Sequence, residues 1–235
     1  MKRRPIFLIT VLAFGFAFFY IPILSMIVYS FNESRLATVW GGFSTKWYVS
    51  LFSNKQVIAA LWLSLKIAFI SASVATVLGT MAGIALARFR KFRGRVLFSG
   101  LVTAPLIMPE VITGISLLMF FIMLAEWIGW PAQRGFTTVT LAHITFSMVF
   151  VTTVVQARMV QADRAIEEAA MDLGSRPRQV MFDVTLPVIF PAVMSGWLLA
   201  FTISLDDVVI TSFTTGPGST TLPLLIWSKV KLGVT

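Results

Sequence analysis

Residues 5–31 read PIFLITVLAFGFAFFYIPILSMIVYSF, with no Asp, Glu, Lys or Arg anywhere in the run. A helix needs about 20 mostly apolar residues to cross ~30 Å of hydrocarbon, so this stretch is long enough to span a bilayer. Lys2, Arg3 and Arg4 precede it, which raises the alternative of a cleaved signal peptide. The run is too long for a signal's apolar core and no small-x-small site ends it, so it reads as a retained span. Four further runs meet the same length rule: about 58–87, about 96–124, about 135–157 and about 184–212. Only Lys66 interrupts the first of these, and its long stem lets the ammonium snorkel toward the outer interface. The stretch 214–221, rich in Gly, Pro, Ser and Thr, reads as loop.

The composition agrees. Hydrophobic residues make up 57% of the 235 and charged ones 12%, whereas a soluble domain carries about 25% charged residues. Such a chain does not cover a water-facing surface, which excludes a soluble enzyme or a disordered tail. Cysteine is absent, excluding a disulfide scaffold, a thiol nucleophile and a thiolate metal site. No period of 20–50 residues repeats, and the alternating short strands of an outer-membrane barrel are missing. The fold class predicted is all-α: a polytopic transmembrane helical bundle forming a single domain over 1–235.

The net charge of +9 invites a nucleic-acid reading, but its distribution points elsewhere. Lys2, Arg3 and Arg4, then Arg88, Arg90, Lys91, Arg93 and Arg95, then Arg158, Arg164, Arg176 and Arg178 each abut the end of an apolar run. The positive-inside rule places such blocks in the cytoplasm. With the N-terminus inside, the loops around 88–95 and 158–183 are inside too, and the inside segments hold twelve of the nineteen Lys and Arg. The partner of this charge is anionic lipid, not nucleic acid. The outer loop 32–55, carrying Phe43, Trp47, Tyr48 and Phe52, suits a helix lying at the outer interface. Five spans leave the C-terminus outside, just beyond Lys229 and Lys231, and a sixth span is expected beyond residue 235.

The inside loop after the fourth span reads Arg164-Ala-Ile-Glu-Glu-Ala-Ala-Met-Asp-Leu-Gly-Ser-Arg-Pro. Its spacing predicts a short amphipathic helix with Ala165, Ile166, Ala169, Ala170 and Leu173 on one stripe. Gly174 and Pro177 are placed to stop it. A small apolar helix face held outside the bilayer suits docking into a groove of another protein; the alternative is an ordinary solvated helix. Glu168-Ala169-Ala170, three residues, Gly174, nine residues, Val184, one residue and Leu186-Pro187 resembles the EAA loop of bacterial ABC import permeases. Val184 stands where that family has Ile. The stretches 104–114, 167–174, 195–207 and 215–223 are similar to permeases of polyamine importers, putrescine first and spermidine/putrescine next.

The resemblance implies a six-span permease of the bacterial inner membrane, with a cytoplasmic N-terminus. Glu168, Ala169, Ala170, Asp172 and Gly174 would form the contact with a cytoplasmic ATPase. The implied partners are a second homologous permease, a homodimer of the ATPase and a periplasmic polyamine-binding protein. The chain itself lacks the G-x-x-x-x-G-K-[ST] phosphate loop; Gly216-Pro217-Gly218-Ser219 has no lysine. ATP and Mg would therefore be bound by the ATPase, with no cofactor, metal or catalytic residue in this chain. His143, the one histidine, has no second metal ligand near it in sequence.

Carboxylates inside spans mark functional sites, since an acid at a helix centre costs roughly 2.5–3.5 kcal/mol on insertion scales. Glu110, Asp206 and Asp207 qualify. Pro105 and Pro109 remove backbone donors near Glu110, so a kinked third span with freed carbonyls beside a carboxylate is expected as a cation site. Of Asp206 and Asp207, about 100° apart on a helix, one is expected on the path. Trp197 is placed to add cation–π attraction to a polyamine, and Trp47 is either an interfacial anchor or a gate. Other solutes of ABC permeases, or a stand-alone ion-coupled transporter, remain alternatives; membrane acids argue against anions.

Overall fold

The structure, a computed structural model, describes residues 6–34, 39–89 and 91–232. Lys2, Arg3, Arg4, Arg35 and Arg90, which enter the orientation count, lie outside the described residues. The chain divides into two compact units, one up to Ile58 and the other from Ala59 onward.

The first unit holds α1 (Ile6–Tyr29) and α2 (Lys46–Ser53). The membrane-length part of α1 buries none of its side chains within the chain, as expected of a helix solvated by lipid. After α1 the loop folds around Asn32, which is buried. Its Oδ1 accepts from the Gly41 N–H at 2.8 Å, and its Nδ2 donates to the Val39 carbonyl at 2.7 Å. An isolated antiparallel bridge pairs Asn32 with Phe43, and Phe31 stacks on Phe43 with ring centroids 5.2 Å apart. The helix expected in the outer loop is α2.

The second unit comprises most of α3 (Lys55–Arg88), then α4 (Arg95–Ile107), α5 (Glu110–Ile128), α6 (Phe136–Gln161), α7 (Arg164–Asp172) and α8 (Pro177–Gln179). A π-helical turn (Val180–Thr185) leads into α9 (Leu186–Asp206), α10 (Val209–Thr214) and α11 (Leu222–Leu232). Among the described residues, five helical stretches are long and apolar enough to cross a membrane: 7–29, 55–88, 110–128, 136–161 and 177–206.

Two of these correct the sequence reading. The third span, expected as one helix over about 96–124, is two. Met108 leaves the helical region at ψ 136°, because the ring of Pro109 disfavours an α conformation in the residue before it. The 13-residue α4 stops there, and the 19-residue α5 starts afresh at Glu110. The fifth span, expected over about 184–212, ends at Asp206; Asp207 is extended at ψ 129°, and α10 is a separate helix. At its other end the π turn closes with Leu186 N–H donating to the Met181 carbonyl. Pro187 follows the π turn within one continuous helical run over 177–206, so the N–H it lacks is missing from the ladder just where the turn widens. The Gly/Pro/Ser/Thr stretch is a loop as expected, and the short apolar α11 follows it.

The core of this unit is built on α6, against which α4, α9 and α10 pack. Ala72, Val151, Val155, Met159, Ile189 and Ala200 form its buried centre. In hydrocarbon no hydrophobic force draws helices together, so close van der Waals approach does. Gly79-Thr-Met-Ala-Gly83 on α3 supplies that approach. A Cβ on Gly79 would lie 2.7 Å from Val151 Cβ and 2.9 Å from the Met148 carbonyl oxygen; one on Gly83 would lie 3.0 Å from the Thr152 carbonyl oxygen. The pairing order also shows α3 and α6 running parallel. Gly79→Ala is expected to destabilise the fold by about 1–3 kcal/mol, the usual range for overpacking. Gly100→Ala on α4, with nothing within 4 Å of its Cβ, should be neutral. Thermal unfolding of the two variants in detergent checks the difference.

Candidate functional site

At one end of the second unit, α7 is held as a rigid projection. Asp163 caps it, its Oδ1 accepting from the Ala165 N–H at 2.9 Å. At the far end Gly174 takes φ +90°. The Ser175 N–H reaches the Ala170 carbonyl at 3.1 Å and the Gly174 N–H reaches Met171 at 2.9 Å. That pair of bonds is a Schellman stop, which favours glycine at this position. The stop makes Gly174 a turn residue, as the spacing predicted.

What fastens α7 to the rest of the unit is Glu167. Its Oε1 accepts from Arg88 Nη2 at 2.9 Å, Arg88 Nε at 3.2 Å and Thr185 Oγ1 at 3.0 Å. Arg88 also donates from Nη1 to the Met159 carbonyl at 3.1 Å. One ion pair, with both side chains largely buried, thus ties the last turn of α3, the last turns of α6, the helix α7 and the π turn before α9. Glu168, one residue on, is exposed and reaches only Arg164 at 3.4 Å. Ile166 and Leu173 are 50% and 89% exposed, and Ala169 and Asp172 are exposed as well, with Ala170 half-buried. The apolar stripe read from the sequence is therefore open, on a helix that cannot swing freely.

The other feature is the break between α9 and α10. Asp207 turns inward and caps α10: its Oδ2 accepts from the Thr211 N–H and the Thr211 hydroxyl, both at 2.7 Å, and its Oδ1 from the Ile210 N–H at 3.3 Å. His143 of α6, buried, lies against it with Nε2 at 3.3 Å from Asp207 Oδ2. Asp206 points out, exposed and with no hydrogen bond or ion pair to this chain. Of the two expected path acids, only Asp206 is open.

A family profile described as the binding-protein-dependent transport system inner membrane component matches residues 75–231. The chain belongs to that family. It is 54% identical over 226 residues to the putrescine transport system permease protein PotI of Escherichia coli (strain K12), covering 96% of this chain and 80% of that one. It is 42% identical over 219 residues to the spermidine/putrescine transport system permease protein PotC of the same strain, covering 93% and 80%. Among solved structures, a bacterial ABC transporter that imports the acidic polysaccharide alginate superposes with TM-score 0.73 at 15% identity, over all of this chain and 84% of that one. That likeness supports the all-α bundle of an ABC importer permease.

Within this inner membrane component the remaining sequence-predicted residues stand apart. Glu110 does not sit in one kinked helix, since α4 stops at Ile107 and α5 starts at Glu110. The Ala104 carbonyl accepts from Met108 N–H at 3.1 Å, and the Pro109 carbonyl accepts from Ile112 N–H at 2.9 Å and Thr113 N–H at 3.1 Å. Glu110 is instead the exposed first residue of α5, where the positive end of the helix dipole favours a carboxylate. Trp197 is half-buried, donates from Nε1 to Ser73 Oγ at 3.2 Å and stacks on Phe201 with centroids 5.3 Å apart. Trp47 belongs to the first unit and donates its indole N–H to the Asn32 carbonyl at 2.9 Å. No hydrogen bond or ion pair among the described residues joins Glu110, Asp206 and Asp207 to one another.

Glu167 and His143 are the residues that sequence reasoning missed. Their partners lie 79 and 61–68 residues away, beyond any local pattern. Removing one side of a buried ion pair typically costs about 3–5 kcal/mol. Arg88→Ala should therefore free α7, visible as faster trypsin cleavage at Arg164 and Arg178 while cleavage at Arg134 stays unchanged.

Proposed function

We propose that this chain is the membrane-spanning permease subunit of an ATP-driven polyamine importer, with putrescine as its substrate. It forms half of the translocation pathway and passes the ATPase's closure to the spans through α7. The observation that carries the reading is the 54% identity to PotI across 96% of the chain; the exposed, rigidly tethered α7 supports it. Its partners are a second homologous permease, a homodimer of a cytoplasmic ATPase that binds ATP and Mg, and a periplasmic polyamine-binding protein. The chain itself catalyses no reaction. It lies in the bacterial inner membrane with its N-terminus in the cytoplasm.

In this reading Glu168, Ala169, Ala170 and Asp172 face the ATPase, and Gly174 sets the turn that presents them. Ile166 and Leu173 widen the apolar patch. Glu167 faces the other way, so a push on α7 is delivered through Arg88 to α3 and α6, and through Thr185 to the π turn at the foot of α9. A π-helical turn is a site where a helix can repack by one residue, which suits the joint between the coupling helix and a moving span. At the other end of the pathway, Glu110 and Asp206 offer unpaired carboxylates to the ammonium groups of an extended dication, and Trp197 and Phe201 offer ring faces.

Uptake of radiolabelled putrescine into proteoliposomes containing the full complex, loaded binding protein and internal ATP tests this directly. Glu110→Gln and Asp206→Asn are each expected to lower uptake at least about tenfold, the scale of a lost charge-assisted hydrogen bond, with the complex still assembled. ATP-independent uptake, or none of any polyamine, would discard the polyamine importer reading. Glu168→Lys is expected to leave ATP hydrolysis running while uptake falls, because a cation replaces an anion on the docking face. Wild-type uptake in that variant would remove α7 from the coupling role.

A further inference from the structure

His143 spans the break between α9 and α10. Its Nδ1 stands 2.6 Å from Ser204 Oγ, on α9 just before the break, and its Nε2 stands 3.0 Å from Thr211 Oγ1 and 3.3 Å from Asp207 Oδ2, beyond it. Ser204 in turn meets Ser71 of α3 at 2.9 Å. All of these side chains are buried or nearly so.

The hydrogen-bond directions can be assigned from the carboxylate outward. Asp207 only accepts, so the Thr211 hydroxyl donates to it, and the Thr211 oxygen is left to accept from Nε2–H. Nδ1 meets the Ser204 hydroxyl, Ser204 meets Ser71, and the Ser71 hydroxyl also reaches the Ala68 carbonyl at 3.2 Å. The chain runs Ser71, Ser204, His143, Thr211, Asp207, an arrangement in which each bond polarises the next. Each of these side chains has its partner, and the imidazole is the only side chain in it that carries two hydrogen-bonding nitrogens on opposite edges of a rigid ring. Across the break the Val208 carbonyl takes the Ser212 N–H at 2.9 Å, in the first turn of α10; the Asp207 cap and this side-chain chain join that turn to α9. Asp206 is the residue immediately before that break.

We propose that His143 is a positioning residue for transport: it clamps α10 to α9 across the break and thereby fixes where the Asp206 carboxylate stands. This rests on the reading of Asp206 as a pathway residue. It assigns His143 no contact with substrate.

The test is a double-mutant cycle in the reconstituted complex, with transport turnover read at saturating loaded binding protein. His143→Ala is expected to lower turnover about tenfold, below the roughly hundredfold that a 1 Å misplacement costs. Because His143 acts through Asp206, His143→Ala combined with Asp206→Asn should be no slower than Asp206→Asn alone, whereas independent effects would multiply. His143→Gln, which keeps a donor toward Thr211 and loses the Ser204 contact, should recover part of the turnover. If the His143→Ala complex does not assemble, His143→Gln is read by the same cycle. Wild-type turnover in the His143 variant, or multiplying losses in the double variant, overturns the clamp while leaving Asp206 on the path. Wild-type turnover in Asp206→Asn removes the pathway reading, and the clamp's role with it.

Discussion

Inside a bilayer every backbone N–H and C=O must find a partner within the protein, and this requirement governs the fold wherever the helices stop. α3 and α6 satisfy it by running without interruption. The interest lies in the two places where a span is interrupted. At Pro109 the interruption is set by the covalent ring, and the following helix begins with a carboxylate on its positive end. At Asp207 no proline is present; a carboxylate accepts the first N–H groups of α10 and is itself held by a hydroxyl and an imidazole. The first break is local chemistry. The second combines a local Asp207 cap with a contact from His143 on α6.

That difference explains what the sequence disclosed. Hydropathy and length place α1, α3 and α6 to within a few residues, because a long apolar run with basic ends has one reading. They also run 96–124 and 184–212 together as single spans, since apolar residues continue through both breaks. Pro109 was visible and suggested a kink; the full stop depended on Met108 leaving the helix. Nothing local to Asp206-Asp207 signals a break. The Gly79 and Gly83 pair shows its purpose only when Val151 and Thr152 are brought against it.

The helix α7 was legible for a different reason. Its cap, its stripe and its glycine stop all lie within a dozen residues, and the Glu-Ala-Ala motif within it is specific to a family. Its attachment was not legible, because Glu167 reads as one more exposed acid until Arg88 and Thr185 arrive from 79 and 18 residues away. A docking helix that is well capped but loosely attached would absorb a push by tilting. The Arg88–Glu167 pair closes that route, and it ties α7 to the ends of α3 and α6 and to the π turn before α9.

The two adjacent acid pairs follow one logic. Glu167 faces inward to a guanidinium and Glu168 outward to solvent; Asp207 faces inward to His143 and Asp206 outward. In the first pair the helix turns neighbouring side chains about 100° apart, and in the second the extended backbone at Asp207 parts them, so one acid of each pair is satisfied by the fold while the other stays open. The inward acid fixes the backbone from which the outward acid projects, and an outward charge is useful to a dication or a docking surface only if its position is set to within a fraction of an ångström. Neutralising one acid of a pair is therefore not equivalent to neutralising the other. Loss of the Asp206 charge removes the exposed group alone, whereas loss of the Asp207 charge removes the cap of α10 beside it.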